Sequence, residues 1–264
     1  MAACGWYSTP ATAQEHASEL NKELNAGIEI FRWQEFDAGG TRLLTESGPR
    51  LFIAAAINNT DNVKQGFFYE AIARGYTGNV DYDGQDSNGI FTSSRTTYSG
   101  FGLQLNGGFR VIGRIDVDML AGVGLDTWRR EIKDDENALG NVVSGITEDY
   151  SIQYITLAMG LPQRFSNAEG YLKIGLKRPF STNEDVDDFN VSLSPGKKLS
   201  AIASYKVIFD ENGKNLISSI MFYYDSFRFS KSQDKVTVVG GVPIQVRQPE
   251  SSMDMIGVAI GHTF

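Results

Sequence analysis

The sequence predicts an all-β chain: a single closed antiparallel up-and-down transmembrane β-barrel of about ten strands. Three observations predict it. Apolar residues alternate with polar or small ones over long stretches, the connections alternate between long and short, and the chain stops on an alternating strand that ends in Phe264. In that last stretch, Ser252 to Phe264, the residues Ile256, Val258, Ile260 and Phe264 share one parity, and Gly257, Ala259, Gly261 and Thr263 share the other. One face is greasy and the other small or polar. Soluble domains seldom end this way, because termini are usually frayed and polar.

The longest apolar run, Leu51 to Ile57, is far too short for a spanning helix of about 20 residues. Membrane barrels escape such a test because half of each strand faces the lumen. A chain of 264 residues can form one large all-β domain. Its net charge of −8 and pI of about 4.9 come from acidic residues spread through loop-like stretches. That balance excludes a nucleic-acid partner, which needs a concentrated basic face.

Residues 1–25 read as an export-signal remnant with an N-terminal tail or short helix, and residues 26–264 as the barrel. Ala11-Thr12-Ala13 before Gln14 fits an A-x-A cleavage site, although a charged start and a full apolar core are missing. Ala2-Ala3-Cys4-Gly5 is a weaker lipoprotein-like site, with Met1 where Leu is expected. An unstructured leader fits these residues equally well. Gln14 to Asn25 has helix-forming composition but only a thin apolar stripe.

The expected strands are 27–36, 50–58, 66–78, 97–111, 114–128, 149–162, 168–179, 198–209, 216–229 and 253–264. Most exceed the five or six residues usual in soluble sheets and match the roughly 9–11 that a tilted membrane strand needs. The connections 37–49, 79–96, 129–148, 180–197 and 230–252 are long. Those at 59–65, 112–113, 163–167 and 210–215 are short, and Asn212-Gly213 in the last is a tight-hairpin signal. Asn106-Gly107 is a second turn signal that would change the strand count. Long loops at one end and short turns at the other are the arrangement of an up-and-down membrane barrel.

Several strands show two faces. Phe101, Leu103, Leu105, Phe109 and Val111 alternate with Gly102, Gln104, Asn106, Gly108 and Arg110; Ile115, Val117, Met119, Ala121, Val123 and Leu125 with Asp116, Asp118, Gly122, Gly124 and Asp126. The same pattern sets Leu172, Ile174 and Leu176 against Lys173 and Lys177, and Ala201, Ala203, Tyr205 and Val207 against Lys206. The candidate lumen-lining residues are therefore Glu70, Arg74, Arg110, Asp116, Asp118, Lys173, Lys177 and Lys206. They would form a salt-bridge ladder or a thin water path. Side chains fill an eight-stranded barrel and open channels need about sixteen strands, so ten implies a narrow or closed pore. The first, second, sixth and ninth strands are ambiguous in parity. Aromatics near strand ends (Trp33, Phe36, Phe67 to Tyr69, Trp128, Phe209, Phe227, Phe229 and Phe264) suggest interfacial girdles.

The terminal strand resembles the C-terminal signal of Gram-negative outer-membrane β-barrels. Further stretches resemble small porin-like or OmpA-like members of that superfamily: F-R-W-Q-E-F-D from Phe31, E-S-G-P-R-L-F from Glu46, G-N-V-D-Y-D-G-Q from Gly78, T-T-Y-S-G-F-G-L from Thr96 and P-E-S from Pro249. The resemblance implies an outer-membrane location with periplasmic turns and chain ends, and contact with outer-membrane lipid and lipopolysaccharide. It also implies a monomer, inserted by the barrel-assembly machinery through Ile256, Val258, Ile260 and Phe264. It implies no cofactor.

Barrel enzymes such as omptin-like proteases and lipid hydrolases use a catalytic histidine. This chain has only His16, in the leader, and His262, on the greasy parity two residues from the end. Asp81 to Gly89 looks like a cation loop but fails EF-hand spacing at Gln85. Acidic runs at Asp134-Asp135-Glu136 and Glu184 to Asp188 read as solvated loops, with weak divalent-cation binding as the alternative. The expected function is non-enzymatic: a narrow passive pore for small solutes, or a structural and surface-contact protein acting through its long loops. The alternatives are a barrel enzyme and a soluble secreted β-sandwich.

Overall fold

The structure is a computed structural model and describes residues 20–60, 63, 65–85, 89–209 and 215–264. The leader readings, including Cys4, His16 and the A-x-A site, lie outside the described residues, as does Asn212-Gly213. In chain order the strands are β1 (Asn21–Phe36), β2 (Arg42–Asn58), β3 (Gly66–Gln85), β4 (Phe91–Val111), β5 (Val117–Ile132), β6 (Asp135–Glu136), β7 (Val142–Val143), β8 (Thr147–Arg164), β9 (Glu169–Val186), β10 (Val191–Leu193), β11 (Gly196–Lys197), β12 (Ser200–Ile208), β13 (Ser219–Ser230), β14 (Lys235–Val239), β15 (Val242–Val246) and β16 (Glu250–Thr263).

Ten of these close into an antiparallel barrel in the order β1-β2-β3-β4-β5-β8-β9-β12-β13-β16, and β16 pairs back onto β1. At the seam Ile28 stands opposite Leu51 on one side and Val258 on the other. Closure leaves the ring without a free edge, the condition for a sheet to cross a bilayer. The short strands sit in the connections at one end. There β14 and β15 form a separate hairpin, turned by Gly240 and Gly241 at φ of 58° and 84°, a backbone that side chains bearing a Cβ rarely adopt.

Several elements differ from the sequence reading. β1 starts at Asn21, so residues 21–25 are strand and belong to the barrel rather than to a tail or short helix. Here Glu23 and Asn25 point inward and Leu24 outward, a strand alternation that resembles a weak helical stripe over so few residues. The long connections at 37–49 and 79–96 are largely strand. β1 and β2 are joined by the turn 37–41, held by Asp37 accepting from the Gly39 and Thr41 amides at 2.8 Å each. β3 and β4 pair from Gly66 opposite Arg110 up to Gln85 opposite Phe91. Asn106-Gly107 lies inside β4 and makes no turn. Gly108 stands where a Cβ would lie 2.2 Å from the Phe68 ring, which accounts for a glycine in mid-strand.

Outside the barrel, the apolar belt runs through Leu24, Ile28 and Ile30 on β1, Leu51, Ile53 and Ile57 on β2, and Phe101, Leu103, Leu105, Phe109 and Val111 on β4. It continues through Ile155, Leu157 and Met159 on β8 and through Ile256, Ile260 and Phe264 at the chain end. Phe101 to Val111 is eleven residues and Ile256 to Phe264 is nine, the length a tilted strand needs to cross a bilayer.

Above the belt the polarity inverts. On β1 the apolar residues move from the outward Ile28 and Ile30 to the inward Phe31 and Trp33, while Arg32 faces out. On β16 Ile256 faces out, whereas Met255 and Met253 face in. β8 changes between the outward Ile155 and the inward Tyr154, Ile152 and Tyr150. The upper barrel is thus built like a soluble protein, with an aromatic core and a polar wall. The expected girdle is corrected by this inversion: Trp33, Phe68, Trp128, Phe227 and Phe229 are buried inside the barrel, while Phe67, Tyr69, Phe209 and Phe264 are exposed.

Candidate functional site

The lumen is organised in layers. At the short-turn end a cavity of about 460 Å³ is lined by Glu70, Arg110, Asp116, Tyr171, Lys173 and Lys206, among others. Arg110 forms a two-pronged pair with Asp118 (2.7 and 2.8 Å) and donates to the Thr60 and Val63 carbonyls, which it holds at the short-turn end. The Tyr171 hydroxyl donates to the second Asp118 oxygen at 3.0 Å. Lys206 pairs with Glu23 at 2.5 Å, and Lys173 with Glu70 at 3.5 Å. Asn106 donates to Glu70 at 2.8 Å.

The next layer is centred on Glu29, which no solvent reaches. It accepts from Arg50 (2.6 Å), Arg74 (2.5 Å) and the Tyr223 hydroxyl (2.5 Å), residues from three other strands. Arg50 also lies 4.0 Å from the Phe31 ring centroid, and Arg74 lies 4.3 Å from that of Phe52. Across the lumen Lys177 pairs with Asp225 at 2.5 Å and stands 3.4 Å from the Phe227 centroid. Tyr76 donates to Asp126 at 2.8 Å. A smaller cavity of about 170 Å³ opens among Arg74, Asp126, Tyr154 and Tyr223, and shares Lys173 with the larger one.

Above these the lumen is filled. Trp33 packs within 6.5 Å of the Trp128 centroid, 5.6 Å of Tyr150 and 6.1 Å of Phe229; Trp128 stacks on Tyr150 at 4.8 Å, and Phe227 on Phe229 at 5.8 Å. Capping this core, Arg130 pairs with Glu148 (2.6 Å), Glu46 (2.8 Å) and Glu35 (3.2 Å). Tyr98 donates to Glu46, and Trp33 donates to Glu35 at 2.9 Å. Glu184 adjoins the group through Tyr150, with its Oε2 buried and without a partner. Three carboxylates thus share one guanidinium, with Glu184 beside them. Burial pushes the Glu35 and Glu184 carboxyls above the ordinary range; repulsion from Glu148 adds to this, and Arg130 only partly offsets it.

Of the residues expected in the lumen, Glu70, Arg74, Arg110, Asp118, Lys173, Lys177 and Lys206 lie on inward strand positions and join the pairs above. Asp116 lies in the turn before β5 rather than on a strand, at the mouth of the larger cavity. Ile256, Ile260 and Phe264 face outward, and Val258 is half-buried between them. His262 sits on the outer wall, 3.1 Å from the Asn215 carbonyl and edge-on to Phe264. Asp81 and Asp83 of the expected cation loop belong to β3, and residues 86–88 lie outside the described residues. Among the described residues no group of three or more His, Cys, Asp or Glu side chains is placed to hold a metal ion.

Sequence reasoning missed Glu29, Glu35, Glu46, Arg50, Arg130 and Glu148. A usable signal existed for Arg50, which shares parity with Phe52, Ala54 and Ala56, the inward face of β2.

A closed ten-stranded antiparallel barrel is a fold also found among solved outer-membrane proteins. The outer membrane protease OmpT of Escherichia coli superposes with a TM-score of 0.55 over 93% of this chain and 96% of its own, at 12% identity, which establishes a shared fold. The translocator domain of the autotransporter NalP of Neisseria meningitidis aligns over 95% of this chain and 90% of its own, with a TM-score of 0.44 and 9% identity. No family model and no curated protein sequence matches the chain.

Proposed function

We propose that the protein is a non-enzymatic barrel of the bacterial outer membrane, with its long connections outside and its chain ends in the periplasm. Its lumen serves as a half-channel for small polar solutes, shut toward the long-loop end. One observation carries this reading: the two lumen cavities share Lys173 and stop beneath the Trp33–Trp128–Tyr150 core and the Arg130 cluster. Space that is open and charged at one end and packed at the other suits a gated passage. In this reading the protein works as a monomer, with the apolar belt in lipid, the polar upper wall at the lipopolysaccharide surface, and insertion guided by the terminal strand.

A second role, as a platform for surface contacts, is favoured by the β14–β15 hairpin, where Val236, Val238 and Val242 are exposed. The test is planar-bilayer recording on refolded protein, the fold being verified by a heat-dependent shift on gels. Wild type should be closed for most of the record, and Trp33→Ala with Trp128→Ala should conduct. If the opened variant stays silent although folded, the passage is excluded and the platform role stands.

A further inference from the structure

The carboxylates above the packed core are tied one by one to its rings. Trp33 donates to Glu35 at 2.9 Å, and Tyr150 donates to Glu148 at 3.0 Å. Tyr98, whose ring centroid lies 4.5 Å from that of Phe31, donates to Glu46. Glu184 stands opposite Tyr150 in the β8–β9 ladder. Trp33 and Tyr150 are also the rings that pack on Trp128 and close the lumen. Whatever charge the carboxylates carry is therefore applied to the plug itself.

That charge is poorly matched. Glu35 comes from β1, Glu46 from β2, Glu148 from β8 and Glu184 from β9, and Arg130 on β5 is the cation they face. Tyr82 on β3, Tyr98 on β4 and Tyr150 on β8 also face the cluster. Burial pushes their hydroxyls up, so they stay protonated in neutral and mildly alkaline solution. Gln248, just before β16, adds an uncharged donor to Glu35 at 3.2 Å, and β13 brings the uncharged Phe229 against Trp33. Glu184 is 1% exposed, and its Oε2 is buried without a partner. Ionised together against one guanidinium, the four carboxylates repel one another in a dry site where water screens little. Bound protons remove that repulsion, and burial keeps the Glu35 and Glu184 carboxyls above the ordinary range.

We propose that the cluster is a proton-operated latch on the plug: bound protons keep the rings packed, and their loss drives the carboxylates apart and lets water in among the rings. Its role as a gate rests on the half-channel reading above. The sign is fixed by the direction of proton binding. Groups that hold protons more tightly in the packed state favour that state in acid, and their contribution is lost as pH rises.

The test is acrylamide quenching of tryptophan fluorescence in the whole refolded protein, from about pH 5 to about pH 9. Trp33 and Trp128 are two of the three tryptophans, and both are buried in the plug. Quenching should rise with pH, the open-to-packed ratio growing by up to about tenfold per pH unit for each proton released. Glu184→Gln and Glu35→Gln keep the shape without the charge, and each should flatten the profile; a heat-shift gel verifies their fold. Bilayer recording then separates the latch from the passage. Wild type should open more often at the alkaline end, whereas Trp33→Ala with Trp128→Ala, which has no plug to release, should conduct with little pH dependence. A flat quenching profile in wild type, or an unchanged one in both folded glutamine variants, would overturn the latch. An opened barrel that conducts beside a wild type shut at every pH would overturn its gating role. Quenching that follows pH while the opened barrel stays silent would uphold the latch and exclude the passage.

Discussion

Arg130 on β5 and Glu46 on β2 meet inside the barrel although two strands separate them in the wall. Nη2 lies 2.8 Å from Oε1, and Nε lies 3.1 Å from both carboxylate oxygens. The pair therefore ties β2 to β5 across the inside of the upper barrel at the level where the aromatic core ends.

Removing one partner of such a pair strands the other charge in a dry site. Arg130→Met should destabilise the barrel by about 3–5 kcal/mol, and removing Glu46 as well should recover part of that loss but not all of it, because Glu35 and Glu148 still lack their guanidinium. Denaturant titration followed by tryptophan fluorescence measures this for Arg130→Met, Glu46→Met and the double variant. A double variant as unstable as Arg130→Met would mean that Arg130 acts chiefly through Glu35 and Glu148.

The carboxylate group also sets a pH dependence of definite sign. Glu35 and Glu184 have folded-state values above the ordinary 4.5, so the native protein binds their protons more tightly than the unfolded chain does. Their contribution is favourable in acid and is lost as pH rises from about 4.5 through the raised values. Unfolding midpoints measured across that range should fall with increasing pH. Glu184→Gln should flatten the profile and raise the midpoint at neutral pH. An unchanged slope in that variant would exclude Glu184 as the titrating group.

The outer wall makes a different demand. Ile260 is exposed in the middle of the belt, with the inward Gly261 beside it near Glu23, Asn25 and Ser219. Ile260→Arg should cost about 2–4 kcal/mol in lipid vesicles, the range for a cation near the bilayer midplane, and much less in a mixed detergent that lets water reach the wall. A similar loss in both media would argue against a lipid-facing Ile260.

The membrane half of this barrel was legible in the sequence because its alternation has one sense. In β4 from Phe101 onward and in the lower part of β5 the apolar residues point outward, Leu120 excepted, so parity separates Leu103 from Gln104 and Met119 from Asp118. β1, β8 and β16 cross the belt edge, where apolar residues change parity at Ile30/Phe31, Tyr154/Ile155 and Met255/Ile256. Averaged over a whole strand the two senses cancel. That is why β1 and β8 had no assignable face, and why Trp33 and Trp128 read as interfacial aromatics. Glu29 and Arg130 were obscured for the same reason. Glu29 meets Arg50 directly across the β1–β2 hairpin, 21 residues away, and Arg130 meets Glu46, 84 residues away, where the curvature of the barrel wall brings them within reach.

Glu29 offers the sharpest test of how the lumen handles charge. It is the common acceptor of Arg50 and Arg74, both of which face the inside of the barrel. Glu29→Gln keeps the shape but leaves two guanidiniums around a neutral amide. In a barrel opened by Trp33→Ala and Trp128→Ala, that change adds uncompensated positive charge to the narrow part of the passage, which repels cations and draws anions. Under a potassium chloride gradient the reversal potential should shift toward the chloride equilibrium value, and replacing Arg74 by Met should move it back. An opened barrel whose selectivity ignores both changes would conduct by a route that avoids Glu29.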